Sequence, residues 1–144
     1  MKHGDISNQQ NFIVAVRLED TLLKKRGNKI TGIVDMLFHT DLSYSIDDDV
    51  LSLVQYIYRR TDYTVLLVVD KKAHISTSDF MELFPFAILA IDNESEISMK
   101  LLTGDITYYI DDDDYRRSLV NNKYAVSYEE FNTILRRKEI KSLE

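Results

Sequence analysis

Five short runs of apolar residues, each closed by a polar turn, constrain this chain more than any other feature. They are FIVAV (12–16), TVLLVV (64–69), FAILAI (86–91), ITYYI (106–110) and the brief YAV (124–126). Their apolarity is continuous rather than alternating, which is the pattern of strands covered on both faces, as in a parallel sheet with flanking helices. Helical segments fall between them. In SIDDDVLSLVQYIYRR, residues Val50, Leu53, Val54 and Ile57 keep helical spacing, and Ser45 with Asp48 reads as a capping box. STSDFMELF and DDYRRSLVNN read as shorter helices. SYEEFNTILRRKE opens with a second box, Ser127 with Glu130, and sets Phe131, Ile134 and Leu135 on one stripe.

Strand and helix thus alternate nearly throughout, which predicts an α/β, doubly wound domain with a mainly parallel sheet. At 144 residues the chain fits one such domain, 1–144. One segment breaks the rhythm. GNKITGIVDMLFHTDLSY (27–44) is turn-rich, with two β-like runs at 30–34 and 36–38, and reads as a β-hairpin inserted after the first strand, overhanging the carboxyl edge of the sheet.

Composition removes several classes of chemistry. There is no cysteine, so disulfides, thiolate catalysis and cysteine-ligated zinc are excluded, and a cytoplasmic setting is expected. The single proline and four glycines form neither GxGxxG nor GxxxxGK[ST], which closes the glycine-loop routes to nucleotides. No apolar run approaches the roughly 18 residues of a membrane span, and the polar MKHGDISNQQN does not read as a signal peptide. A net charge of −6 disfavours bulk nucleic-acid binding. The basic clusters Lys24-Lys25-Arg26 and Arg136-Arg137-Lys138 read as solvated faces. His3, His39 and His74 lack ligand spacing.

In an open parallel sheet, ligands sit beyond the carboxyl ends of the strands. The residues expected there are Arg17, Glu19 and Asp20 after the first strand, Asp70 with Lys71 and Lys72 after the second, Asp92 and Glu94 after the third, and Asp111 to Asp114 after the fourth. Lys100 precedes the fourth strand. Such a rim of carboxylates and lysines has the chemistry of a Mg²⁺ and phosphate site.

These positions carry a resemblance. IVAVRLEDTLL resembles the first motif of the haloacid dehalogenase-like (HAD) superfamily, an apolar strand ending in DxDxT. YYIDDDDYRRSLV resembles the fourth motif, whose acidic pair helps hold Mg²⁺, with Asp111 and Asp112 matching the pair and Asp113 and Asp114 as alternates. VQYIYRRTDYTVLLVVDKK is similar to the unit bearing the second motif, and NNKYAVSYEEFNTILRR to the last strand and helix. Lys100 matches the third-motif lysine by position only. The hairpin sits where the family places its flap, and no insertion is long enough for a large cap.

The departures from that pattern carry more information than the matches. The family's nucleophilic Asp is here Arg17, whose guanidinium stays protonated and cannot form an aspartyl-phosphate. The acid/base Asp is Glu19, the glycine position is Asp20, and the phosphate-binding Ser or Thr of motif two is Asp70, which would repel a phosphoryl group. Arg17 is expected to stand in for the metal's charge by pairing with Asp111 or Asp112. The reading is a catalytically degenerate HAD-like protein, needing no cofactor, that binds a protein partner or itself. The alternatives are a Mg²⁺-dependent phosphohydrolase working through Glu19 or Asp20, and a nucleic-acid-processing or binding protein built on Asp70, Lys72 and the two basic clusters.

Overall fold

The computed structural model describes residues 12–27, 43–70, 77–92 and 96–143. Its centre is a five-stranded sheet in which every neighbouring pair runs parallel. The first strand, β1 (Ile13–Arg17), is followed by an antiparallel pair, β2 (Leu23–Gly27) and β3 (Ser43–Ile46), that forms its own small sheet. Then come α1 (Asp48–Arg60), β4 (Thr64–Asp70), α2 (Thr77–Leu83), β5 (Ile88–Asp92), α3 (Glu96–Thr103), β6 (Tyr108–Ile110), α4 (Asp114–Val120), β7 (Ala125–Val126) and α5 (Tyr128–Leu143). The sheet order is β5-β4-β1-β6-β7, so β1 lies in the middle with later strands added outward on both sides.

The alternation of side chains along each strand divides the core in two. Val14 and Val16 of β1, with Val65, Leu67 and Val69 of β4, meet Val50, Leu53, Val54 and Ile57 of α1, together with Phe80, Phe84 and Phe131. Ala15 and Val68 point the other way, toward Ile97 and Leu101 of α3 and toward Ile106 and Tyr109. Helices therefore flank the sheet on both faces, which is why β1 and β4 carry unbroken apolar runs. Each fully buried Val, Leu, Ile or Phe contributes about 1.5–3 kcal/mol, so the face that buries more of them dominates stability.

The helix starts follow local chemistry. The capping box at the head of α5 forms as expected: the Ser127 N–H donates to Glu130 Oε1 at 2.9 Å, and the Glu130 N–H donates to Ser127 Oγ at 3.2 Å. At α1 the expected box is replaced. Ser45 lies within β3, and Asp47 caps the helix by accepting from the N–H groups of Asp49 and Val50. Strand pairing with β2 claims Ser45 before the helix can use it. The structure adds α3, an eight-residue helix with only Ile97 and Leu101 buried, too narrow an apolar stripe to stand out in the sequence. The two β-like runs expected at 30–34 and 36–38 lie outside the described residues, although β2 and β3 pair on either side of them. Among the described residues no helix is long and apolar enough to cross a membrane.

Candidate functional site

The parallel register lifts Arg17, Asp70, Asp92 and Asp111 to one edge of the sheet. Arg17 ends β1, while Asp70 and Asp92 end β4 and β5 and face each other in register. Like charges set side by side on neighbouring strands are destabilising unless a cation intervenes. Arg17 supplies it. Its Nη1 donates to Asp92 Oδ2 at 2.7 Å, its Nε donates to Glu19 Oε1 at 2.9 Å, and its Nη2 lies 3.9 Å from Asp70 Oδ2. The guanidinium side chain is only 3% exposed. Burial alone would lower its pKa, but the charge of Glu19, the nearby Tyr109 and the bond to Asp92 outweigh that and raise it further. Glu19 uses its other oxygen within the fold as well: Oε2 accepts the Asp70 N–H at 2.8 Å, tying β1 to β4.

A second charge is buried nearby, of opposite sign. Asp111, fully buried in the coil after β6, accepts from Tyr109 Oη at 2.6 Å, from Arg116 Nε at 2.8 Å and Nη2 at 3.1 Å, and from the Asp113 N–H at 2.9 Å. Thr21 Oγ1 sits 3.4 Å away and accepts the Asp112 N–H at 2.9 Å. Arg116 also donates to the Glu19 carbonyl at 2.8 Å, which joins the two charge centres. Burial would lower the Arg116 pKa, but its bonds and charge interaction with Asp111 raise it. Burial, reinforced by Asp111, pushes the Tyr109 phenol well above its ordinary value, with Arg17 pulling the other way. Tyr109 therefore stays a donor to Asp111. Asp112 is held apart from this cluster: Lys24 Nζ lies 3.2 Å from its Oδ2, and its Oδ1 accepts the Tyr128 N–H at 2.9 Å.

The expected pairing of Arg17 with Asp111 or Asp112 is thus not the one that forms. Arg17 takes Glu19, Asp92 and Asp70, while Arg116 takes Asp111 and Lys24 takes Asp112. The reason is topological. The sheet order places β4 and β5 on one side of β1 and β6 on the other, and Arg17 turns toward the first side. Lys100 does not join the site. It lies on α3, pairs with Glu96 at 3.2 Å, and lines a hollow with Ile13 and Ile106, at the amino ends of the strands. Lys71, Lys72, Glu94 and all three histidines lie outside the described residues. Comparison with known families, curated proteins and solved structures yields no match.

The chain after β1 makes a wide turn, with Leu22 N–H donating to the Arg17 carbonyl and Leu23 N–H to the Leu18 carbonyl. Asp20 within it adopts a left-handed φ of 61°. That conformation is easiest for glycine, the residue that the resembled motif places there.

A Mg²⁺ at this edge, as the family would hold it, would need carboxylate oxygens with free lone pairs. Asp111 has both oxygens bonded to donors, Asp112 is bonded to a lysine and an amide, and the Arg17 guanidinium adds a positive charge at the same edge. Among the described residues no three acidic or histidine side chains converge as a metal site. As arranged, these residues do not fit the ion. Beside them opens a cleft of about 410 Å³, with Arg17, Asp70, Asp92 and Arg116 on its polar side and Ile97 and Leu119 on its apolar side.

Of the residues that build the site, Tyr109 and Arg116 were not anticipated and Asp92 was placed at the rim without a role. A signal for Arg116 existed: an arginine one turn into a helix that starts with acidic residues can reach back over them.

Proposed function

We propose that this chain is a doubly wound, catalytically degenerate HAD-like module, with the β2–β3 pair at the base of a flap, that acts by binding a protein partner or itself in a reducing, cytoplasmic setting. One observation carries the reading: the position matching the family nucleophile is a buried arginine, clamped by Glu19 at 2.9 Å and Asp92 at 2.7 Å. A cation held in this way offers no lone pair for attack on phosphorus and opposes a metal beside it. The carboxylate at the acid/base position supports the same reading, because Glu19 uses both oxygens as struts between β1 and β4. The supporting geometry is that the ends of the first, second and fourth strands of the parallel sheet share one edge, where Arg17, Asp70 and Asp111 stand.

The chemistry that remains is weak. General acid–base catalysis alone contributes only about 10²–10⁴-fold, far short of what unactivated phosphate esters need. The test is a Mg²⁺-dependent phosphomonoesterase assay on the wild type, Arg17→Asp and Asp111→Asn. The wild type should show no metal-dependent turnover, and Arg17→Asp should gain affinity for the metal. Wild-type turnover that requires Mg²⁺ and disappears in Asp111→Asn would replace this reading with that of a phosphohydrolase.

A further inference from the structure

The two edges of the main sheet are built differently. β7 has two residues, while β5 has five and closes the other side with no strand paired to its outer rim among the described residues. Edge strands are ordinarily protected by lysine, proline, a bulge or brevity. Residues 88–92, ILAID, contain none of these. Ile88 and Ile91 are 56% and 46% exposed, and they point to opposite faces of the sheet. The strand's one charge, Asp92, is already neutralised by Arg17 at 2.7 Å, so no uncompensated charge guards the edge.

We propose that β5 pairs antiparallel with β5 of a second copy, around a two-fold axis perpendicular to the sheet at Leu89, so that one sheet runs through both copies. The argument for a second copy is that the strand is complementary to itself in this register. A perpendicular axis continues each face of the sheet into the partner, which requires that facing positions share parity. Centring on Leu89 sets Ile88 opposite Ala90 of the other copy and Ile91 opposite Ala87, large against small at every exposed position. The two Asp92 residues then lie far apart, at opposite ends of the pairing. Centring on Ala90 instead sets Leu89 against Ile91, large on large, and places Ile88 beside Asp92. Such an isologous contact closes on itself and forms a dimer rather than a fibre. It also holds the strand that carries Asp92, and so bears on Arg17. The proposal stands independently of whether the site hydrolyses phosphate.

The test uses the full chain. Mass measured by light scattering across a dilution series should show a concentration-dependent dimer. Ile88→Lys and Ile91→Lys, each at a solvent-exposed position, should weaken association by about tenfold or more while far-UV circular dichroism is unchanged. Because the chain has no cysteine, Leu89→Cys introduces a single thiol. In the proposed register the two copies of residue 89 face each other, and mild oxidation should link them. Ala90→Cys would sit on a diagonal about 7–8 Å from its mate, beyond the roughly 3.5–4.5 Å between the β-carbons of a disulfide. A wild type that stays monomeric throughout, a dimer indifferent to both lysines, or linkage through Ala90→Cys in place of Leu89→Cys would overturn the proposal.

Discussion

Two buried charges of opposite sign stand at the carboxyl edge, and the fold treats them unequally. Arg17 is a cation ringed by carboxylates that keep some contact with water: the side chains of Glu19, Asp92 and Asp70 are 19%, 24% and 50% exposed. Asp111 is an anion with no exposure at all, ringed by Tyr109, Arg116 and a backbone N–H. When the centre of each cluster is removed, the partners left behind differ in how readily they can be rehydrated. Carboxylates at the rim can turn outward to solvent. Tyr109, buried in the core, cannot do so without disturbing it, and Arg116, 24% exposed on the cleft side, can do so only in part. The same physics makes an unpaired buried charge far more destabilising than an unpaired surface one.

The largest effect should therefore come from Asp111→Asn. It removes the negative charge at constant shape and leaves the Arg116 guanidinium facing a neutral amide. A loss of about 3–5 kcal/mol is expected, read from the denaturant midpoint with an unchanged m-value. Arg17→Met keeps the length and apolar packing of the side chain while removing the cation. Because the freed carboxylates are partly hydrated, the loss should be smaller, about 1–3 kcal/mol. If Arg17→Met proves the more damaging of the two, rehydration of the partners is not what separates the centres.

The contrast extends to pH. Arg17 is held so firmly charged that its centre has no alkaline limit. The Asp111 centre has one, because Tyr109 must remain protonated to donate. Burial and the adjacent Asp111 raise the Tyr109 pKa above the 10.0 of a free phenol. Lys24 is raised above 10.5, with burial opposing and Asp112 and Asp47 prevailing. For both groups the folded pKa exceeds the unfolded one. Their contributions are whole below about pH 10 and diminish as the pH rises beyond it. Stability should accordingly fall above that pH, read as a denaturant midpoint that drops progressively through the alkaline range. Tyr109→Phe should flatten the fall while costing about 1–3 kcal/mol at neutral pH, since Asp111 loses a donor. A slope that survives in Tyr109→Phe would move the alkaline limit to Lys24. In acid the sign reverses at Asp113. Its carboxylate is held below the usual range chiefly by the Arg116 N–H it accepts, so its helix-capping contribution is present above the ordinary carboxylate pKa and lost as the pH falls.

What could be read in the sequence was whatever depends on near neighbours in the chain. The apolar runs placed all five strands of the sheet, and the Ser127–Glu130 box marked the head of α5. The position of Arg17 at the end of β1 was also legible, since strand ends follow from where apolarity stops. Its partners were not. They depend on which strand lies beside which, and nothing in IVAVR distinguishes β4 and β5 from β6 as the side to which a long guanidinium will turn. Arg116 was hidden for a related reason: within DDYRRSLV it looks like an exposed helical residue, and only the depth of Asp111 draws it inward. The helix α3 escaped because two buried residues in EISMKLLT make too narrow a stripe. The four-residue spacings of Ile97 to Leu101 and of Glu96 to Lys100 were its available signals.

The smallest expected effect bears on the loop between the two centres. Asp20 holds a left-handed backbone with φ 61°, and its carboxylate lies 3.4 Å from Arg116 Nη1. Asp20→Gly removes an ion pair of about 0–1 kcal/mol, partly exposed to solvent, and relieves the β-carbon of its left-handed strain. Against this relief stands the extra freedom of glycine in the unfolded chain, about 0.5–1 kcal/mol. The three contributions nearly cancel, so the thermal midpoint should move little. Asp20→Ala loses the same ion pair but keeps the β-carbon, and alanine lacks the side-chain hydrogen bonding that lets aspartate tolerate this conformation. It should therefore be less stable than Asp20→Gly by about 1 kcal/mol. Equal midpoints for Gly and Ala would mean that the strain at residue 20 is negligible and that the backbone bonds of the turn hold it whichever residue stands there. A clear gap between them would identify the turn after β1 as a place where backbone geometry, rather than charge, decides which residue is tolerated.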